Sequence, residues 1–205
     1  MGVRREPAAS AFGSRARNRR RGEARWAGLL AVALLGAWPC GAAGQAEDDP
    51  LAPLRFLAGA CWRAEIAGTG LTDVQCVEEM PGGFLRAKHV LLGSDPEYSG
   101  ETIYFHDAET GHARFIYFTS LGGVSRGSVI WQDGRLLFPD QRHVSASGEE
   151  LRIEGHMEQP HRDAYVAVSR RWVDGDWSEP AETLFERLPQ ACRAIEDVRG
   201  GCAGG

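Results

Sequence analysis

Six histidines are the side chains of this 205-residue protein best suited to bind a metal or move a proton: His89, His106, His112, His143, His156 and His161. His106 and His112 bracket the stretch DAETG, and His156 and His161 stand on either side of the turn at QPHRD. Imidazoles flanking a hairpin can hold a transition metal when a carboxylate or thiolate completes the set. No acidic residue joins either pair at ligand spacing, so these histidines read as solvated turn residues, with no metal and no other cofactor expected. Nucleophilic catalysis has no better support. The chain lacks G-x-S-x-G, and neither Ser120 nor Ser128 has a partner in the sequence that would activate it. Glu78-Glu79 and Glu149-Glu150 are adjacent pairs, which in strands point to opposite faces and cannot cooperate as a dyad. Gly82-Gly83 and Gly122-Gly123 are turns, since no strand-to-helix context makes either a phosphate loop. No catalytic residue is therefore assigned.

The aromatic residues point instead to binding. Tyr104, Phe105, Phe115, Tyr117, Phe118 and Trp131 are more than solubility requires. An apolar pocket with a few tyrosine hydroxyls as polar handles is the usual form of a small-molecule site. Trp62, Tyr104, Tyr117, Phe118 and Ile153 are the residues expected to line it.

The elements that must position these residues are strands. Turn signals recur at AGTG, MPGG, SDPEYSG, DAETG, LGG, QDG, ASGEE, QPHRD and VDGDW, and they separate ten segments rich in β-branched and aromatic residues. In LRIEGHME, Leu151, Ile153, Gly155 and Met157 fall on one face and Arg152, Glu154, His156 and Glu158 on the other. CWRAEIA sets Trp62, Ala64 and Ile66 opposite Arg63 and Glu65. Period two with one wet face marks an antiparallel sheet. Ten strands joined by short hairpins remove their exposed edges by closing into an up-and-down barrel. A two-sheet sandwich is the rival, but it calls for long crossovers that the sequence lacks. Pro139, within RLLFPDQRHV, is expected to bend or break a strand. Two short helices lie outside the strands, at DPLAPLRFLAG and at QACRAIEDV, the second stopped by Gly200-Gly201.

Residues 1–46 carry eight arginines against two acids, followed by the apolar run Trp26 to Trp38 and the small residues GAAGQA. That order is a secretory signal peptide, cleaved between about Gly41 and Glu47. At 13 residues, the apolar run falls short of the roughly 20 a membrane span needs. The remainder keeps 15 of the 23 basic and 26 of the 28 acidic side chains, a net charge of −11. Nucleic acid and anionic lipid both require a basic face, so neither is an expected partner. Four cysteines survive cleavage, and three connectivities exist. Cys61 and Cys76 are equidistant from the Gly68-Thr69 turn, which favours Cys61–Cys76 with Cys192–Cys202 closing a local loop. The expected organisation is a signal peptide over 1–46, a barrel over 47–188 and a disulfide-closed tail over 189–205. The expected location is periplasmic or secreted.

The stretch PLRFLAGACW followed by a hairpin meander resembles the calycin superfamily of lipocalins and fatty-acid-binding proteins. It is most similar to uncharacterised exported bacterial proteins that open with L-x-x-L-x-G-x-W. The likeness spans Pro53 to Leu188. Gly59-Ala60-Cys61-Trp62 is one residue longer than the lipocalin G-x-W, and the histidine motif of haem-binding relatives is missing. The resemblance implies an all-β antiparallel barrel binding a small apolar or amphipathic molecule. It also admits an isomerase or cyclase on the same scaffold, or an envelope protein acting through its surface. Ala58, Gly59 and Ala60 are expected to let the first helix pass close under the rim while Trp62 fills the closed end. Lipocalins commonly lay an arginine of the last strand across this tryptophan. Closure of ten strands brings Arg187 to that place, with Arg170 or Arg171 next in line if the count is off by one.

Overall fold

A computed structural model describes residues 49–202. The expected signal peptide lies outside the described residues. From the first hairpin on, the chain is almost entirely strand: β1 (Ala60–Ile66), β2 (Leu71–Glu79), β3 (Leu85–Leu92), β4 (Tyr98–Asp107), β5 (His112–Thr119), β6 (Val124–Gln132), β7 (Arg135–Val144), β8 (Glu150–His161), β9 (Ala164–Val173), β10 (Asp176–Trp177) and β11 (Ala181–Arg187). Each strand pairs antiparallel with the next through β9. Then β11 pairs with both β9 and β1, which closes a ten-stranded barrel. The two-residue β10 only extends the β9 hairpin, pairing Trp177 with Trp172. The architecture is compatible with a lipocalin-like barrel.

All nine expected turns separate the strands where the sequence places them. At Asp133-Gly134 and Asp174-Gly175 both central residues take positive φ, 52° and 78° in the first and 52° and 91° in the second. That is the requirement of the type I′ hairpin, whose twist matches the flanking strands. Pro139 bends β7 without ending it. The ladder to β8 shifts register between Phe138 and Gln141, and the ladder to β6 between Arg126 and Ile130. Asp140 uses the gap, accepting hydrogen bonds from the Ser128 backbone N–H at 2.8 Å and its hydroxyl at 3.1 Å.

Ahead of β1, a 3-10 helix over Ala52–Leu57 buries Leu54 and Leu57 under one end of the barrel. The step from helix to strand turns on Gly59, which has φ of 70°. A Cβ there would meet nothing within 4 Å, so the glycine serves the left-handed backbone and not, as expected, close packing of the helix. Trp62 follows, fully buried, and its indole N–H donates to the Leu57 carbonyl at 3.1 Å. Phe56 and Tyr165 meet its ring edge-on, and Phe185 stacks on Tyr165 with centroids 4.7 Å apart. This end of the barrel is filled.

A second apolar cluster lies on the opposite face of the first strands. Because Trp62 points inward, its neighbour Cys61 points outward, opposite Cys76 in the β1–β2 register. The two sulfurs are at disulfide distance, as are those of Cys192 and Cys202. Val74 and Val90 share that outer face and are buried beneath Cys192 and Ile195 of the C-terminal segment. A short helix, α1 (Ile195–Arg199), forms there, and Asp197 caps its entry by accepting from the backbone N–H groups of Arg193 and Ala194 at 2.9 Å each.

Candidate functional site: a half-filled barrel

Past the aromatic plug the interior opens into a cavity of about 390 Å³. Apolar walls come from Ala87, Phe115, Phe138, Ile153 and Met157, and polar ones from Asp73, Gln75, His89, Tyr98 and Tyr117. Period-two alternation sets both groups. With Cys76 and Val74 turned outward on β2, Gln75 and Asp73 must turn inward, and pairing Gln75 with His89 brings His89 in as well.

These polar residues form one connected chain. The Asp73 carboxylate faces His89 Nδ1 at 3.3 Å, and His89 Nε2 meets the Tyr117 hydroxyl at 2.5 Å. The Tyr117 and Tyr98 hydroxyls meet in turn at 2.9 Å. On the other side Gln75 donates to Asp73 at 3.4 Å and accepts from the Tyr165 hydroxyl at 3.3 Å. The chain thus runs from the aromatic plug to the cavity wall. Gly100 makes it geometrically possible. His89 pairs with Gly100 across the β3–β4 ladder, and a Cβ at that glycine would stand 2.7 Å from the Tyr117 hydroxyl. Without a side chain there, the Tyr117 ring lies across β4 and reaches His89.

Burial keeps the phenols protonated. It pushes Tyr104 up to about 12. Tyr117 is raised further, first by burial and then by the Tyr98 hydroxyl and the charge of Asp73. Each tyrosine is therefore a neutral hydrogen-bonding group in the physiological range. An Asp–His–Tyr chain can orient an imidazole and pass a proton along it, as acid–base sites do.

Of the residues expected at a ligand site, the structure places Tyr104, Tyr117 and Ile153 on the cavity wall. Two lie elsewhere. Phe118 is 48% exposed on the outer face, because it is adjacent to the inward Tyr117 and neighbours in a strand point opposite ways. Trp62 belongs to the filled end and is shut off from the cavity by the packing around it. Arg187 pairs with Trp62 across the β1–β11 closure, its guanidinium carbon 5.7 Å from the ring centroid. Arg170 goes elsewhere, pairing with Glu154 and lying over Trp177.

The remaining histidines are scattered. His106, His112 and His161 are exposed, His156 pairs with Glu158 at 3.0 Å, and His143 meets Ser125 at 2.9 Å. Among the described residues no group of three or more His, Cys, Asp or Glu is arranged to hold a metal ion. Ser120 accepts from the Ser99 backbone and Ser128 is held by Asp140. The residues missed by sequence reasoning are Asp73, Gln75, His89 and Tyr98. Compared with known proteins, the chain matches no family model and no curated protein.

Proposed function

We propose that this is an exported, lipocalin-like protein of the calycin type that carries a small apolar or amphipathic molecule in its barrel. The observation that carries the reading is the unequal filling of the interior. Aromatic packing stops partway, leaving about 390 Å³ with apolar walls and one polar side, within the range of small-molecule pockets. Two cysteine pairs at disulfide distance support an oxidising compartment, periplasmic or extracellular. No helix among the described residues is long and apolar enough to cross a membrane. The expected boundaries, a signal peptide over 1–46, a barrel over 47–188 and a closed tail over 189–205, are part of the proposal. Titration with a panel of fatty acids, retinoids and apolar dyes tests it. Saturable binding that raises the melting temperature is expected. A cooperative melt unmoved by every member of the panel would contradict it.

The Asp73–His89–Tyr117 chain favours a second reading, an isomerase-type activity on the same barrel. Its test is turnover of a bound ligand that stops in His89→Gln while the ligand still binds. A ligand recovered unchanged from the wild-type protein would set this reading aside.

A further inference from the structure

The polar chain has a direction, and that direction decides what it can hold. The Asp73 carboxylate only accepts, so His89 Nδ1, which faces it, carries a proton. In the neutral imidazole Nε2 is then an acceptor and takes the Tyr117 hydroxyl proton. The Tyr117 oxygen accepts in turn from Tyr98, which shows the cavity only its lone pairs. Adding a proton at Nε2 reverses both bonds beyond His89 and leaves Nδ1 donating to Asp73. His89 donates to Tyr117, Tyr117 donates to Tyr98, and the Tyr98 hydroxyl proton is released to donate into the cavity.

Charge narrows the choice of ligand further. The titratable groups facing His89 are Asp73 from β2, Tyr98 from β4 and Tyr117 from β5. No lysine or arginine is among the residues lining the cavity. An anionic head group would enter a site that already holds a carboxylate and has only imidazolium to offset it. A neutral head group faces no such repulsion.

We propose that the Asp73–His89–Tyr117–Tyr98 chain is the head-group subsite of the cavity, selecting neutral ligands and offering a hydrogen-bond donor to a carbonyl-type acceptor when His89 is protonated. This rests on the ligand-binding reading above and adds the class of ligand and its coupling to one proton. The donor is free only once His89 holds a proton on both ring nitrogens, so an acceptor ligand binds more tightly as the pH falls.

Three fluorescent probes test it: the neutral ketone propionyl-dimethylaminonaphthalene, the same naphthalene without its propionyl group, and the anion anilinonaphthalene sulfonate. The ketone should bind about five-fold more tightly than its parent near pH 5, the worth of one neutral hydrogen bond, and lose that advantage near pH 8. The sulfonate should bind most weakly of the three. His89→Gln should make ketone affinity independent of pH, and Tyr98→Phe should reduce it to that of the parent at the acid end. Ketone and parent binding alike at both ends would overturn the subsite and leave the cavity reading standing. Tightest binding by the sulfonate would overturn the selectivity for neutral ligands. Binding by none of the three would overturn the cavity reading and the subsite together.

Discussion

The two ends of this barrel are built from similar residues and do opposite things. At one end Trp62, Phe56, Tyr165 and Phe185 pack edge-on and stacked until no space remains. At the other, Tyr98, Tyr117 and His89 spend their polar atoms on one another and leave a cavity beside them. The difference lies in where each ring is tied. Trp62 is held by a backbone carbonyl of the 3-10 helix, which drives its ring into the core. Tyr117 is held by a side chain on a strand two places away, which draws its ring along the wall. Aromatic content alone therefore does not tell a core from a pocket; the hydrogen-bond partner does.

Removing the plug should have the largest effect. Trp62→Ala is expected to cost about 3–5 kcal/mol in denaturant unfolding, as other buried large aromatics do. A loss below about 1 kcal/mol would show that the filled end is not where stability resides. Next comes the staple on the outer face behind Trp62. Replacing Cys61 and Cys76 together by alanine should cost roughly 2–4 kcal/mol, with the loop between them short and the sulfurs buried. Peptide mapping that joins Cys61 to Cys192 or Cys202 would contradict the register itself.

Alkaline titration reads the buried phenols. A phenol raised by burial stabilises the fold fully below its unfolded value near 10, and that contribution is lost as pH rises toward the folded value. Tyr104, pushed up to about 12, should therefore lose of order 2–3 kcal/mol between about pH 10 and 12, and Tyr104→Phe should make that part of the stability profile shallower by as much, leaving the slope that the other buried phenols contribute. An unchanged profile in the variant would remove Tyr104 from the buried set. The smallest effect is expected at the seam. Arg187 is exposed, so its contact with Trp62 should be worth about 0.5–1 kcal/mol, read from Arg187→Ala in the same unfolding assay. A loss as large as that of Trp62→Ala would mean that the arginine, rather than the ring, holds the closure.

Much of the fold is legible in the sequence because turn chemistry and period-two alternation are local. Asp-Gly pairs announce their hairpins, and symmetry about Gly68-Thr69 sets Cys61 against Cys76. The site is less legible because its members come from four successive strands, β2 to β5, and which of them meet depends on the register of three ladders at once. Even so, a signal was present. If Trp62 points inward, then Cys61 and its partner Cys76 point outward, so Gln75 and Asp73 point inward, and the next register brings His89 with them. Assigning both Tyr117 and Phe118 to the cavity ignores the same rule, since adjacent strand residues cannot share a face. The reach of Tyr117 over Gly100 has no such local signature, because nothing in the sequence ties a glycine on β4 to a ring on β5.

Methyl NMR of the protein titrated with the ketone propionyl-dimethylaminonaphthalene tests the division of the interior most directly. The Ile153 and Met157 methyl signals on the cavity wall should shift with saturation, while those of Leu54 and Leu57 at the filled end stay in place. Equal shifts at both ends, or no shift at Ile153 and Met157 at saturating ketone, would contradict it.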